Sequence, residues 1–483
     1  MNTNKLKKFA QDARKKLLAQ VAAKLEYVLT TDTAELRERA TQISALREEL
    51  SSTGRQQLVE KVAYTWFNRF VALRFMDVNG YQPLDLRVLT PREGNTLPEL
   101  LDDAKTGYIA EELKVNNQLV FDLLDGRMPS ANPQNEAYRV LLIGACNHLH
   151  TLLPFLFERI NDYTELLLPD DLTSDFSVVH DVRVGMAAEE CKQVEIIGWL
   201  YQFYISEKKD EVFASKAKVK KEDIPAATQL FTPRWIVEYM VQNTVGKLWL
   251  QNRPNSALRK HMPYFIESAS LQSEDYLKLS SPQELTLLDQ ACGSGHILVY
   301  GFELLYLIYE EEGYNPSEIP QLILAHNLYG FEIDERAAQL AAMALMMKAR
   351  SYQRSFFKKG QVPQPHILCF QDFKLDEKQI TATLASLEGK LTDALRHDLN
   401  LMHQATNFGS LIVPLAGTLE IRTLLTRIEE RKQPGQADLF GHYEQQQVKS
   451  ALTQLQLLGQ KYTCIVDNPP YMGGGNMNIP LGD

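Results

Sequence analysis

Over the first third of the chain, apolar residues recur at spacings of three and four; further on they gather into short apolar runs separated by helical stretches. From Lys5 to Leu29 the positions Phe9, Ala13, Leu17, Val21, Leu25 and Val28 form one stripe. This predicts an amphipathic helix that carries Lys7, Lys8, Arg14, Lys15 and Lys16 elsewhere on its surface, read as a solvated basic side. Asp32, followed three residues later by Glu35, predicts a capping box opening a second helix. Val62, Trp66, Phe70 and Leu73 mark a helix from Arg55 to Met76 whose aromatics are core and whose stop is Asn79 and Gly80. The window Val140 to Phe157 is the most apolar, but Asn147, His148, His150 and Pro154 interrupt it. It therefore predicts a buried helix and no membrane span. Val194 to Ile205, with Trp199, Tyr201, Phe203 and Tyr204, predicts another helix. The charged stretch Glu207 to Asp223 follows, with Lys216, Lys218, Lys220 and Lys221, and reads as an exposed domain boundary.

Beyond this boundary strands and helices alternate. Leu285 to Leu288 predicts a strand ending at Asp289, and Gly293, Ser294 and Gly295 a tight turn into a helix near Ile297. Leu328 to Phe331 predicts a second strand ending at Glu332, followed by a helix from Ala337 to Ala349. Ile367 to Phe370 predicts a third, ending at Asp372 and Phe373. Lys374 to Lys461 reads as a mostly helical excursion outside the sheet, broken at Gln433, Pro434 and Gly435. A fourth strand then runs from Tyr462 to Val466 and stops at Asn468, Pro469, Pro470 and Tyr471, because neither proline can donate to a ladder and the first holds Asn468 extended. The fold class is thus α/β. A helical domain (1–222) precedes the nucleotide-binding part of a Rossmann-like domain (223–373), a helical insertion (374–461) and a closing strand with its end segment (462–483). In an open parallel sheet the strand C-termini share one rim, and ligands bind there.

Composition narrows the setting. With 483 residues, two or three domains are expected. A net charge of −10 argues against a surface that is one continuous nucleic-acid footprint, while leaving room for a local basic groove. Cys146, Cys191, Cys292, Cys369 and Cys464 show no paired spacing, which predicts reduced thiols in the cytoplasm, without disulfides or zinc. The N-terminal lysines are followed by no apolar signal region. His148 and His150 are two apart on a predicted helix and fall on roughly opposite faces, wrong for shared metal ligation, so no metal site is expected.

The chemistry gathers on the predicted rim. Asn468 offers an amide oxygen, the adjacent backbone carbonyls add acceptors, and Tyr471 supplies a ring. Such a corner suits a planar substrate carrying an NH2 group. Gly293 and Gly295 let the backbone approach a ligand, and the helix that follows presents its N-terminus to negative charge. A dinucleotide enzyme would carry a third glycine where Leu298 stands, which counts against a dehydrogenase. Glu332 suits a pair of ribose hydroxyls, although it lies well beyond the roughly 20-residue spacing usual after the first strand; the helical segment Pro316 to Ala325 accounts for the excess. Asp334 reads as a helix cap. Cys292 reads as a small packed residue, with His296 nearby on the helix face.

The ordered set Phe231, Thr232, Pro233; Asp289, Ala291, Cys292, Gly293, Ser294, Gly295; Glu332, Asp334; Asp372, Phe373; and Asn468, Pro469, Pro470, Tyr471 resembles the amino-methylating DNA methyltransferases of the gamma arrangement. The N-terminal third, including Ala63 to Tyr81 and Val194 to Ala214, is similar to the PglX methyltransferase family of the BREX phage-defence system. The resemblance covers essentially the whole chain. It implies S-adenosylmethionine as methyl donor, with Thr232, Pro233 and Asp289 near its methionine end and Ala291 and the Gly293–Gly295 turn beneath it. It also implies Glu332 on the ribose, Asp372 on the adenine amino group and Phe373 over the adenine ring. The substrate implied is an adenine flipped out of double-stranded DNA, stacked on Tyr471, with Asn468 and the Pro469 carbonyl accepting its N6 hydrogens. No metal is implied, and other BREX proteins are the expected partners.

Two alternatives remain open at this point. The same corner geometry serves enzymes that methylate glutamine amides of proteins or guanines of RNA, because any planar NH2 group fits it. A cofactor-binding or scaffold protein without catalysis is the other. The family carries three more strands and a target-recognition region, for which Met472 to Asp483 is too short. The expectation is a shortened form that binds S-adenosylmethionine weakly and does not methylate a specific site alone.

Overall fold

The computed structural model describes residues 3–157, 163–214, 219–220, 223–228, 232–267, 275–358, 362–430, 439–469 and 471. Phe231, Pro470, Lys216, Lys218, Lys221 and the break at Gln433–Gly435 lie outside the described residues. The chain divides into two compact units, Met1–Lys208 with Gln339–Gln364, and Lys209–Ala338 with Pro365–Asp483.

The first unit is helical. Helix α1 (Thr3–Thr30) buries Phe9, Ala13, Leu17, Val21, Leu25 and Val28, the stripe that its spacing predicts. Its basic side is largely spent inside the unit: Lys15 pairs with Glu207 at 2.7 Å, Lys16 with Asp181 and Lys24 with Asp170. Helix α2 (Ala34–Glu38) corrects the predicted cap. Thr33, one residue closer to the helix, accepts from the Leu36 amide at 3.3 Å, while Asp32 is drawn into an ion pair with Arg37. Helix α3 (Arg55–Asn79) ends at Gly80 in the left-handed conformation and buries Trp66, Phe70 and Leu73. Trp66 Nε1 donates to the Thr164 carbonyl at 3.0 Å, so the one polar atom of that ring is satisfied in the core. In the last turn of α3, Asp77 is buried and fixes the following loop. It accepts from Gln82 Nε2 (2.7 Å), the amides of Val88 (2.9 Å), Leu89 (2.7 Å) and Thr90 (2.9 Å), and the Thr90 hydroxyl (2.9 Å). Helix α4 (Glu195–Ala214) buries Tyr201, Phe203 and Tyr204, with Tyr204 edge-on to Tyr64 at 4.8 Å.

The second unit holds a parallel sheet of four strands: β1 (Leu287–Asp289), β2 (Leu328–Glu332), β3 (His366–Cys369) and β4 (Cys464–Ile465), in the order β3-β2-β1-β4. Leu287 pairs with Leu328 on one side and Cys464 on the other, and Glu332 pairs with Cys369. After helix α5 (Arg234–Val241), the crossover from β1 to β2 uses α6 (His296–Glu311) and α7 (Ile319–His326), and that from β2 to β3 uses α8 (Glu335–Tyr352). The division between units falls inside α8, between Ala338 and Gln339. Strands β2 and β3 lie to one side of β1 and β4 to the other, so the strand order reverses between β1 and β4. In an open α/β sheet that reversal opens the ligand crevice.

Alternation along the short strands decides what covers each face. Leu287 and Leu328 project onto α6 at Gly301, where an added Cβ would come within 2.5 Å of Leu287, so only glycine lets the helix lie this close. Leu288, Tyr329, Phe331 and Leu368 project the other way, into a core shared with helices α9 (Glu377–Ser386), α10 (Asp393–Met402), α12 (Thr418–Glu430) and α13 (Leu439–Leu458); the short α11 (Ala405–Phe408) lies between α10 and α12. The segment 374–461 is helical and contributes no strand among the described residues, as its pattern predicts, but it packs on the sheet. Its amphipathic helices bury Ile380, Leu384, Leu395, Leu399, Leu424 and Leu452 as the second layer of the domain, because the sheet's other apolar face has to be covered. Among the described residues no helix is long and apolar enough to cross a membrane.

Candidate active site

The acid that ends β1 is turned inward. Asp289 is 1% exposed and accepts one hydrogen bond among the described residues, from the Ala291 amide at 3.1 Å, which starts the turn toward α6. Burial pushes its pKa well up, and the nearby carboxylates of Asp467 and Glu332 push in the same direction. Gly293 and Gly295 take φ of +52° and +82°, conformations that side-chain-bearing residues rarely adopt, and a Cβ on Gly293 would meet nothing within 4 Å. The turn therefore passes beneath open space. The Gly293 amide donates to Glu332 Oε2 at 2.7 Å.

Glu332 closes β2 and is held by three amides. Gly293 takes Oε2, while Ile333 (2.8 Å) and Asp334 (3.0 Å) donate to Oε1. Burial pushes its pKa up to about 7, against the pull of those three donors. Asp334 accepts from the Arg336 amide at 3.0 Å and from Arg336 Nε at 2.7 Å, a cap at the start of α8. Cys292 is buried and burial pushes its thiol well up, which makes it a poor nucleophile.

Past β3, Asp372 Oδ1 accepts from both the amide and the hydroxyl of Thr406, each at 3.0 Å. Phe373 is buried, its amide donating to the Met402 carbonyl at 2.9 Å. On the far side of β1, the Val466 amide still bonds to the Leu288 carbonyl at 2.9 Å, and the chain leaves the sheet at Asp467 and Asn468. Asn468 Nδ2 donates to the Thr232 hydroxyl at 3.0 Å, joining positions 236 residues apart in sequence. Thr232 is buried and immediately precedes Pro233, the N-cap of α5. With its nitrogen engaged, the Asn468 amide has its oxygen left as an acceptor. Tyr471 is 73% exposed, its ring presented to solvent.

Thr232, Asp289, Gly293, Gly295, Glu332, Asp372, Phe373 and Asn468 thus all belong to one compact unit. Those that end β1, β2 and β4 lie on the rim, with the switch point between the ends of β1 and β4. Sequence reasoning missed Asp467 and Thr406. Asp467 could have been found from its place between the fourth strand and Asn468; Thr406 carries no local signal. Among the described residues no group of His, Cys, Asp and Glu is arranged to hold a metal, and all five cysteines are free thiols.

The donor set fits S-adenosylmethionine. A buried acid with one hydrogen bond and acidic neighbours calls for a cation, which an amino-acid ammonium group supplies. A carboxylate at the end of β2 that keeps about one lone-pair direction beyond its three amide donors suits a ribose hydroxyl, and the space over Gly293 lets a ligand approach the backbone.

The chain is similar to known methyltransferases. The family model for the Eco57I restriction-modification methylase matches residues 326–480. The adenine-specific methyltransferase BrxX of Escherichia coli O9:H4 (strain HS) is 38% identical over 532 aligned positions, covering 100% of this chain and 43% of that protein. The adenine-specific methyltransferase PglX of Lacticaseibacillus casei (strain Zhang) is 32% identical over 535 positions, covering 99% of this chain and 43% of that protein. The chain therefore spans less than half the length of these relatives. Along its own length, the chain is homologous to part of the BrxX and PglX adenine-specific methyltransferases.

Proposed function

We propose that this chain carries the cofactor and catalytic half of a DNA adenine N6-methyltransferase of BREX-type phage defence, acting in the cytoplasm on duplex DNA together with other BREX proteins. The observation that carries the reading is the Thr232–Asn468 bond at the β1/β4 switch point. It fixes the amide of the Asn-Pro-Pro-Tyr corner with its oxygen available as an acceptor.

S-adenosylmethionine supplies, when bound, an electrophilic methyl group on a sulfonium. Asp289 attracts the ammonium of its methionine end, Glu332 accepts from the ribose hydroxyls, and Asp372 accepts from the cofactor's adenine amino group. The flipped target adenine stacks on Tyr471, which offsets part of the few kcal/mol that unstacking costs. Asn468 Oδ1 and the Pro469 carbonyl accept the two N6 hydrogens and turn the nitrogen lone pair toward the methyl group. Catalysis is then positioning: two groups held in line react without a bimolecular encounter.

A tritium-transfer assay with genomic DNA, total protein and ribosomal RNA offered together tests this. Label at adenine N6 of DNA, weak and without preference for one sequence, and lost in Asn468→Ala, is the expected result. Label confined to protein or RNA would overturn it.

A further inference from the structure

The loop that ends β3 is built by the insertion. Each of its three consecutive residues is tied to a different insertion element. Gln371 exchanges backbone bonds with Gln454 of α13, its amide donating to Gln454 Oε1 at 3.0 Å and its carbonyl accepting from Nε2 at 3.3 Å. Asp372 accepts from Thr406 twice, at the start of α11. Phe373 donates to the Met402 carbonyl at the end of α10, and its own carbonyl bonds His403 Nδ1 at 2.7 Å. Gln454 is buried, so this clamp is part of the core and no surface accident.

Both bonds from Thr406 fall on one oxygen of Asp372, Oδ1. Amide and hydroxyl together on one oxygen fix the plane of the carboxylate as well as its place. We propose that the corner between α10 and α11 is a positioning device for the cofactor's base, with Thr406 as the residue that orients Asp372 toward the exocyclic amino group of adenine. The inference rests on the reading of Asp372 as the acceptor for that amino group, and it assigns the helical insertion a share in cofactor selection. Thr406 is a positioning residue; it touches Asp372 and not the cofactor.

An oriented carboxylate accepts from an amino group and repels a carbonyl in its place, so selection between the two bases is the signature of orientation. The probes are S-adenosylhomocysteine and S-inosylhomocysteine, which carry an amino group and a keto group at that position, the keto base with a proton on N1, titrated calorimetrically into the 483-residue chain. Wild type should favour the adenine form. Thr406→Val, which keeps the shape and the backbone amide but removes the hydroxyl, should lower the ratio of the two affinities by about tenfold, the scale of one hydrogen bond to a charged group. Thr406→Ser should keep the wild-type ratio. The ratio is insensitive to any loss of folded protein, because both ligands report on the same folded fraction. An unchanged ratio in Thr406→Val, with wild type discriminating, would overturn the role of Thr406 and leave the proposed function standing. Wild type binding both probes equally would overturn the assignment of Asp372, and wild type binding neither would overturn the cofactor reading with it.

Discussion

Two buried aspartates, one in each unit, were given opposite surroundings. Asp77 is 4% exposed and surrounded by donors: three amides, a hydroxyl and a side-chain amide hold its two oxygens. Asp289 is 1% exposed, accepts one hydrogen bond among the described residues and has two acids for neighbours. Burial raises the pKa of both. At Asp77 four of the hydrogen bonds pull against the burial; at Asp289 one does, and the nearby charges add to it. A saturated buried acid is architecture, because its lone pairs are committed to shaping a loop. An unsaturated one at a strand end is poised for a ligand, and its stability cost is tolerated where function needs it.

The largest expected effect is at the saturated site. Asp77→Asn replaces one acceptor oxygen by an NH2 group facing donors and should destabilise the protein by about 3 kcal/mol in urea titrations; a loss below about 1 kcal/mol would break the contrast. Next comes pH. With a pKa of about 7, Glu332 is increasingly protonated as pH falls, and a protonated carboxyl accepts poorly from ribose hydroxyls. Affinity for S-adenosylmethionine should therefore climb as pH rises through 7 and weaken by about tenfold per unit below it. Without ligand the sign reverses: the stabilisation present below the unfolded-state pKa of about 4.3 is lost as pH rises through about 7. Glu332→Gln should flatten both profiles, and a binding profile flat from pH 6 to 8 in wild type would contradict the role. Thr232→Val frees the Asn468 amide to rotate. It should lower kcat about fivefold at saturating cofactor, and a change confined to KM for the cofactor would place Thr232 elsewhere in the mechanism. The smallest effect belongs to the unsaturated acid. Asp289→Asn removes a buried charge that the fold disfavours above its unfolded pKa, so the ligand-free protein at pH 7 should melt within about 1 kcal/mol of wild type, or higher. A loss like that of Asp77→Asn would make Asp289 architectural too.

How much of this could be read from the chain follows from distance along it. The strands ending at Asp289 and Glu332, the glycine turn and the stop at Asn468 rest on local signals, namely short apolar runs, closely spaced glycines and paired prolines, and the sheet has those strands. The order that sets β4 beside β1 rests on the pairing of Leu287 with Cys464 and leaves no local trace. Neither does the Thr232–Asn468 bond. The insertion's helices were legible but their partner was not, because a helical pattern shows which face is apolar and not what will cover it; Leu395 and Leu424 find the sheet only once the strands are assembled. At α2 the error was one residue wide, since Asp32 and Thr33 are both good caps and the backbone decides between them.

The central claim is that the β1 end of the rim is a cofactor site organised by an unsaturated acid. Calorimetric titration of the 483-residue chain with S-adenosylmethionine, wild type beside Asp289→Asn, tests it most directly. One saturable site in wild type, weakened at least about tenfold in an Asp289→Asn protein of undiminished stability, is the predicted result. Equal binding by both, or no heat from wild type, would contradict it.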